Sequence, residues 1–500
     1  MNRRRFLEGF IGIATLPVSN TANLAQQAPT KAIRINVEGR RTLGRIPDDF
    51  IGLSYEISSV ATPGLLSGRN RPYVQLIRAL GAHGVIRVGG ITSDSASFAP
   101  NAGASAAARS TVINSECLYE LAGFLDATGW RLIWGLNLGS GNAQNAAEEA
   151  VAVAAAVGDK LLAFEIGNEP DGYAGDAFNA HRRKTYGYED FLEEYRACKA
   201  AVRAKLPGAP FAGPDASYRT DWVTRFAADE GGDLKLLTRH YYRSGANNPY
   251  LDKQIGSQSN VSPEQRVGYE ARRNNDKIEM LLRADPNVRG FLQEISAASH
   301  IPLRVCEANS FFGGGQPGVS DTFASALWAL DFMWVLAGGG AVGVNMETGV
   351  NHLDFVSYYS PIRTEKDSTP MAAPEYYGML AFAQGSNGSR IALDYDAGGV
   401  NLTAYAAVRD PAHLTVTLIN KDRTADADVT IAAGRRMQKA AALHLAGRAL
   451  DSAEAVTLGG NAVAGDGGWK STNVGALRVA GGVCDIPVAA ASAVVVKLSA

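Results

Sequence analysis

Two carboxylates carry the chemistry that this sequence suggests. Glu169 sits in the tripeptide Asn168-Glu169-Pro170, and Glu307 ends the apolar run 303–306. Cleavage of a glycosidic bond needs such a pair. One carboxyl is protonated and gives its proton to the leaving oxygen; the other is ionised and attacks the anomeric carbon. Carboxyl groups suit the task because the first must turn from acid to base within one turnover. Pro170 lacks an N–H and fixes φ, so a strand must end at Glu169 and leave the carboxylate at its tip. The Asn168 amide can hydrogen-bond a sugar 2-hydroxyl. A lone Glu at a strand end is more often a solvated charge or a partner for Arg. The tripeptide and the second Glu together favour catalysis.

The two carboxylates are far apart along the chain, so a fold must bring them together. Short apolar runs at 50–55, 85–88, 132–136, 161–166, 210–213, 234–241, 303–306 and 341–346 alternate with amphipathic stretches such as 143–157 and 188–205. Eight strands alternating with helices predict a parallel sheet closed into a (β/α)8 barrel over 49–385. The runner-up, an open doubly wound sheet, lacks its Gly-rich turn after the first strand. Segment 321–340 opens with a capping Asp, is apolar on all sides and reads as a buried helix. Residues 243–275 read as a long loop or an insertion over the barrel mouth. After 385 short runs at 401–408, 414–420, 427–431, 440–445 and 493–498 predict an all-β sandwich over 386–500. A strand at 33–37, within 29–48, is expected to join it.

In such a barrel the site lies at the C-terminal ends of the strands. The polar residues there are Tyr55 and Glu56; Arg87 and Asp94; Asn137; Asn168, Glu169 and Asp171; Asp215; His240, Tyr241 and Tyr242; Glu307; and Glu347. Cys306 precedes Glu307, so strand alternation predicts that it packs outward against helices. His240 reads as a hydrogen-bond partner behind the site; His83 and His300 read as surface residues, and Trp130 and Trp134 as core.

Composition excludes several classes. The 500 residues carry 48 basic and 50 acidic side chains, which gives a net charge of -2 and no basic field for nucleic acid. The four Cys are scattered, which disfavours a zinc ribbon or a disulfide scaffold. No spacing suggests a metal, and no cofactor is expected. Residues 1–28 combine Arg3-Arg4-x-Phe6-Leu7 with a short apolar run, as in a twin-arginine signal peptide. That run is too short to span a bilayer, so a periplasmic or secreted protein is expected.

The segments Arg87-Val-Gly-Gly90, Leu132-Ile-Trp-Gly-Leu-Asn137, Glu165-Ile-Gly-Asn-Glu-Pro170, His240-Tyr-Tyr242, and Glu307 followed by Gly313-Gly-Gly315 resemble the clan A retaining glycoside hydrolases. More narrowly, they resemble the heparanase and β-glucuronidase family, glycoside hydrolase family 79. The resemblance implies Glu169 as acid/base and Glu307 as nucleophile. It also implies that Asn168 binds the 2-hydroxyl, that Tyr241 or Tyr242 contacts Glu307 or the sugar, and that Glu56 and Asp94 lie near the ring. The family holds the uronate carboxylate on backbone amides of a Tyr-Gly-Gly-Gly stretch. Here that stretch is Phe312-Gly313-Gly314-Gly315, without the phenol. A further Tyr expected after strand eight is replaced by Asn351, with Tyr358 or Tyr359 as nearby substitutes. The expectation is thus an exo-acting β-glucuronidase on a carbohydrate substrate. The alternatives are a β-glycosidase for a neutral sugar (glucoside, galactoside or xyloside) or a non-catalytic carbohydrate-binding barrel.

Overall fold

The structure is a computed structural model that describes residues 30–107, 110–175, 180–247, 263–349, 357–364, 369–472 and 475–500. Residues 1–28, read above as a signal peptide, Asn351 and residues 248–262 lie outside the described residues.

Eight parallel strands close into a barrel: Ile51–Glu56, Val85–Gly89, Arg131–Leu136, Leu161–Ile166, Phe211–Ala216, Leu234–Gly245, Leu303–Phe312 and Gly343–Glu347. The last pairs with the first and shuts the ring. These are the eight apolar runs of the sequence. Their near-continuous hydrophobicity arises because helices cover one face and side chains fill the other. Val85, Ile133, Ala163, Ala212 and Leu236, one from each of strands two to six, form an apolar layer inside. Arg304 crosses the interior to Asn345, Nε to Oδ1 at 2.6 Å. That crossing requires Gly343, where a Cβ would stand 2.0 Å from Arg304 Nη1.

Helices Ala143–Val157 and Tyr188–Lys205 fall where the sequence places them. The apolar segment forms helix Phe323–Gly338, but its N-cap is Thr322 and not Asp321. The Asp321 carboxylate instead accepts from the Gly318 amide at 2.7 Å and closes the preceding turn. Asp331, the one charge inside this helix, takes hydrogen bonds from Thr403 (2.7 Å) and Tyr405 (2.8 Å) and pairs with Lys421. It therefore fastens the buried helix to the second sheet. The expected loop 243–275 is corrected in two places. Strand six runs on to Gly245, and Pro263–Leu282 is a helix. Its polar composition hid a narrow apolar stripe, in which Ile278, Leu281 and Leu282 are buried at helical spacing.

A second, ten-stranded sheet contains Lys31–Arg45 between Ser389–Tyr395 and Ala427–Ala432. The predicted C-terminal runs are all in it. Ser389–Tyr395 and Val483–Val488 were not among the predicted runs. Ser389–Tyr395 pairs with Leu402–Asp410 over only two residue pairs, so the sheet curls there. It encloses Ile35, Val416, Val429, Ile486, Val494 and Val496. Alternate residues Leu443, Leu445 and Val495 join the barrel's core instead, as period two requires. Among the described residues no helix is long and apolar enough to cross a membrane.

Candidate active site

Glu169 and Glu307 meet at the C-terminal rim of the barrel. One oxygen of each, with a nitrogen of His240, lie within 4.8 Å of one another. Each is set there by a local departure from regular strand. Glu169 has left-handed backbone (φ 49, ψ 50) immediately before the turn Pro170–Gly172. Such a conformation costs a non-glycine residue about 1–2 kcal/mol. It is held by the Glu169 amide donating to the Asp215 carbonyl (3.0 Å) and the Glu169 carbonyl accepting from Gly172 (2.8 Å). Asp215 is itself left-handed, at φ 59.

Glu307 follows a bulge. Val305 stands opposite Arg239 and Glu307 opposite His240, which leaves Cys306 as the extra residue. This overturns the outward orientation expected for Cys306. The bulge breaks alternation, and its buried thiol lies 2.8 Å from Asp215 Oδ1 inside the barrel.

Arg87 is the centre of the site and fully buried. Its guanidinium donates to Glu165 Oε2 (3.2 Å), Glu307 Oε2 (2.8 Å), Asn168 Oδ1 (2.9 Å), Asp215 Oδ2 (2.5 Å) and Ser54 Oγ (3.4 Å). A planar fork with five donors can bridge this many acceptors; an ammonium cannot. Gly89 makes room for it, since a Cβ there would stand 2.4 Å from Arg87 Cζ. His240 lies between two carboxylates, with Nε2 2.9 Å from Asp215 Oδ1 and Nδ1 2.9 Å from Glu169 Oε1. It is thus the hydrogen-bond partner behind the site that the sequence suggested.

The charges explain one another. Burial alone would raise Asp215, but Arg87 and His240 hold it far below the usual carboxylate range. Burial opposes a charged His240, yet Asp215 and Glu307 overcome this and hold the ring well above its ordinary value. Burial raises Glu169, and the His240 hydrogen bond opposes that rise. Burial pushes Glu56 and Glu165 up to about 7, and Glu347 well above the normal range, where Glu307 and Glu56 add to the effect.

The other expected residues divide. Tyr242 OH donates to Glu307 Oε1 at 2.7 Å. Tyr241, one residue earlier on the strand, points the other way. It stacks on Phe332 at 5.2 Å and bonds Asp285, so the sugar-facing role considered for it is corrected. Asn168 lies beside Arg87 as above. Glu56 accepts from the Ile91 and Thr92 amides (3.2 and 2.8 Å) and from the Thr92 hydroxyl (2.6 Å), which fixes the loop after strand two. Asp94 is fully buried and takes the Tyr173 hydroxyl (2.6 Å) and the Gly139 amide (3.1 Å). It ties loops together rather than facing solvent. Phe312 is exposed, its ring edge-on to Tyr242. Gly313, Gly314 and Gly315 have φ of 82, 86 and 85, a run of left-handed residues that only glycine takes without steric cost. The turn is pinned: the Gly315 amide donates to the Phe311 carbonyl (3.0 Å), and the Tyr358 amide to the Gly314 carbonyl (2.6 Å). Tyr359, not Tyr358, packs against Tyr242, with ring centroids 6.1 Å apart.

From the sequence Arg87, Asp215 and Glu347 stand at strand ends with no task of their own, and Glu165 figures only as the first residue of a motif. The signal for Glu165 was a charge inside an otherwise apolar strand, two alternations before Glu169. Two donor sets converge, Asp215 with His240 and Cys306, and Glu169 with His240 and Glu307. His240 is common to both and faces a carboxylate with each nitrogen. Both contacts are 2.9 Å, so hydrogen bonding accounts for both sets.

Fold and site together are of the glycoside-hydrolase type, a (β/α)8 barrel with a β-domain. No family model matches the chain. It is 26% identical over 419 residues to a β-glucuronidase of Aspergillus niger, covering 75% of this chain and 73% of the relative. It is also 26% identical over 405 residues to a β-glucuronidase of Neurospora crassa, covering 70% and 66%. Among solved structures it matches a 4-O-α-L-rhamnosyl-β-D-glucuronidase from Fusarium oxysporum 12S, with TM-score 0.70 and 19% identity over 93% of this chain and 100% of that one. A GH51 arabinofuranosidase from Xanthomonas axonopodis pv. citri matches with TM-score 0.63 and 16% identity, over 94% and 100%. The structural matches speak for the fold. With the curated relatives they bear out the resemblance to the heparanase and β-glucuronidase family.

Proposed function

We propose that the chain is a retaining, exo-acting β-glucuronidase working by double displacement. Glu307 attacks the anomeric carbon while Glu169 protonates the leaving oxygen. Water, deprotonated by Glu169, then releases the glycosyl ester. The observation that carries this reading is that one oxygen of each carboxylate comes within 4.8 Å of the other around His240, a close approach that suits the pair of a retaining enzyme, whose carboxyl groups lie about 5–5.5 Å apart. Arg87 and Tyr242 fit the nucleophile's needs, because each donates to one oxygen of Glu307 and together they fix its orientation. Burial of Glu169 suits an acid that must keep its proton near neutrality.

For the sugar, the curated relatives and the left-handed turn Gly313–Gly315 support a uronate, whose carboxylate amides in such a turn can bind. Phe312 in place of a phenol favours a neutral sugar as the second reading. Rates on nitrophenyl β-glucuronide and β-glucoside decide between them. The expected result is kcat/KM at least about 100-fold higher for the glucuronide, the scale of one charge-assisted contact of about 3 kcal/mol. Equal rates favour the second reading. Export is part of the proposal, supported by Arg3-Arg4-x-Phe6-Leu7 and the apolar run after it, which suit a twin-arginine route.

Glu169→Ala should discriminate by leaving group. Substrates with a poor leaving group should lose about 10²–10⁴-fold in kcat/KM. A dinitrophenyl glycoside, which departs without a proton, should lose little in that parameter. Equal losses on both would remove Glu169 from the acid role.

A further inference from the structure

We propose that Asp215 and His240 form a fixed cationic donor whose single Nδ1–H serves whichever of Glu169 and Glu307 carries the negative charge at each step of the cycle. Asp215 is the positioning residue of this pair. The inference rests on the roles given above to the two glutamates and adds a mechanism for their alternation.

The geometry is specific. His240 Nδ1 lies 2.9 Å from Glu169 Oε1 and 3.7 Å from Glu307 Oε1, so one N–H stands between both carboxylates. The ring cannot turn away, because Nε2 is held at 2.9 Å by Asp215 Oδ1. Arg87 at Oδ2 and the Cys306 thiol at Oδ1 hold Asp215 ionised, so the hydrogen of that contact sits on Nε2. In the charged ring that Asp215 and Glu307 favour, Nδ1 carries the second hydrogen. The groups facing the ring are Asp215, Glu169, Glu307, Arg87 (Nη2 at 3.4 Å), the Cys306 thiol and, electrostatically, Glu165. Burial disfavours the charged ring and the neighbouring carboxylates outweigh it.

The charge balance follows the chemistry. Before reaction Glu307 is anionic and Glu169 neutral. In the first step the Glu307 oxygen forms a bond to the anomeric carbon as the bond to the leaving oxygen breaks, and the Glu169 proton goes to that oxygen. The negative charge has moved from Glu307 to Glu169, across a distance that one N–H can bridge by a small tilt. In the second step water's oxygen bonds to carbon, its proton returns to Glu169, and Glu307 leaves as carboxylate. The imidazolium stays charged throughout and moves no proton. A preorganised donor aimed at developing charge in a buried site typically contributes about 10²–10³-fold.

The test is made on the full, untagged protein. Side-chain ¹⁵N NMR should show one of the seven histidine rings protonated at both nitrogens and untitrated from pH 5 to pH 8; seven neutral rings at pH 8 overturn the proposal. Asp215→Asn removes the charge that raises the ring, so its pKa falls and the ring becomes neutral above it. The alkaline limb of kcat should then move down by about one pH unit or more, with alkaline activity lost far more than acid-side activity. A uniform fall with an unshifted profile would mean a purely structural role. His240→Gln should slow both steps, read as kcat/KM for the first and as kcat on a dinitrophenyl glycoside for the second. Slowing of one step alone overturns the shared-donor idea. The NMR measurement needs no variant to fold, and it stands apart from the tests of Glu169 and Glu307, so their failure and this one are distinguishable.

Discussion

Glu307→Gly should abolish turnover of every β-glycoside substrate, with a fall on the order of 10⁴–10⁶-fold, the scale seen when a covalent nucleophile is removed from a constellation that acts as a unit. No neighbour can substitute. Glu165 and Asp215 are fully buried and engaged by the Arg87 Nε and Nη2, and burial, the largest cause, pushes Glu347 well above the usual carboxylate range even without Glu307. The glycine leaves a hole beside the anomeric carbon that azide can fill. Azide should restore activity on a dinitrophenyl substrate and yield the α-glycosyl azide, since a single displacement inverts the centre. Azide rescue of Glu169→Ala should instead yield the β-glycosyl azide, because there the covalent intermediate still forms. Product stereochemistry by proton NMR reads both. A β-azide from Glu307→Gly would show that another residue is the nucleophile.

Arg87→Met should be the most destabilising single change in the barrel. It removes the partner of three buried carboxylates, Glu165, Asp215 and Glu307, and of the Asn168 carbonyl. Leaving buried charges uncompensated typically costs about 3–5 kcal/mol, which a lower urea midpoint at unchanged slope will report. Arg87→Lys should recover only part of this, because a point charge cannot reach acceptors spread around a fork. The pH dependence has a definite sign. Asp215 is held far below its ordinary value in the folded protein, so it contributes stability above its unfolded pKa of about 3.9. That contribution is lost as the pH falls toward the folded value. The stability gap between wild type and Arg87→Met should therefore be widest at neutral pH and narrow below about pH 4. A gap that does not change with pH would mean that the guanidinium acts by packing alone.

The eight barrel strands were legible because a parallel strand buried on both faces must be apolar along its length, and the chain spells this out eight times. The pair Glu169 and Glu307 was legible for a related reason: polar residues directly after such runs can only sit at one rim. Segment 263–282 was misread because its buried stripe is narrow in a polar background. Strands 389–395 and 483–488 went unread because short strands that alternate Arg, Ala and Asp, or Asp and Pro, with apolar residues resemble loops until a partner strand satisfies their backbone.

What the sequence determined by itself is the ring of strands and the two glutamates at its edge, since both follow from local residue pattern and chain order. What only the tertiary structure decided is how the glutamates are charged and aimed. The bulge that turns Cys306 inward, the Arg87 fork reaching four strands, and the His240 ring between Asp215 and Glu169 all join residues distant in sequence. Electrostatic energy depends on separation in space and on burial, and neither is fixed until the barrel has closed.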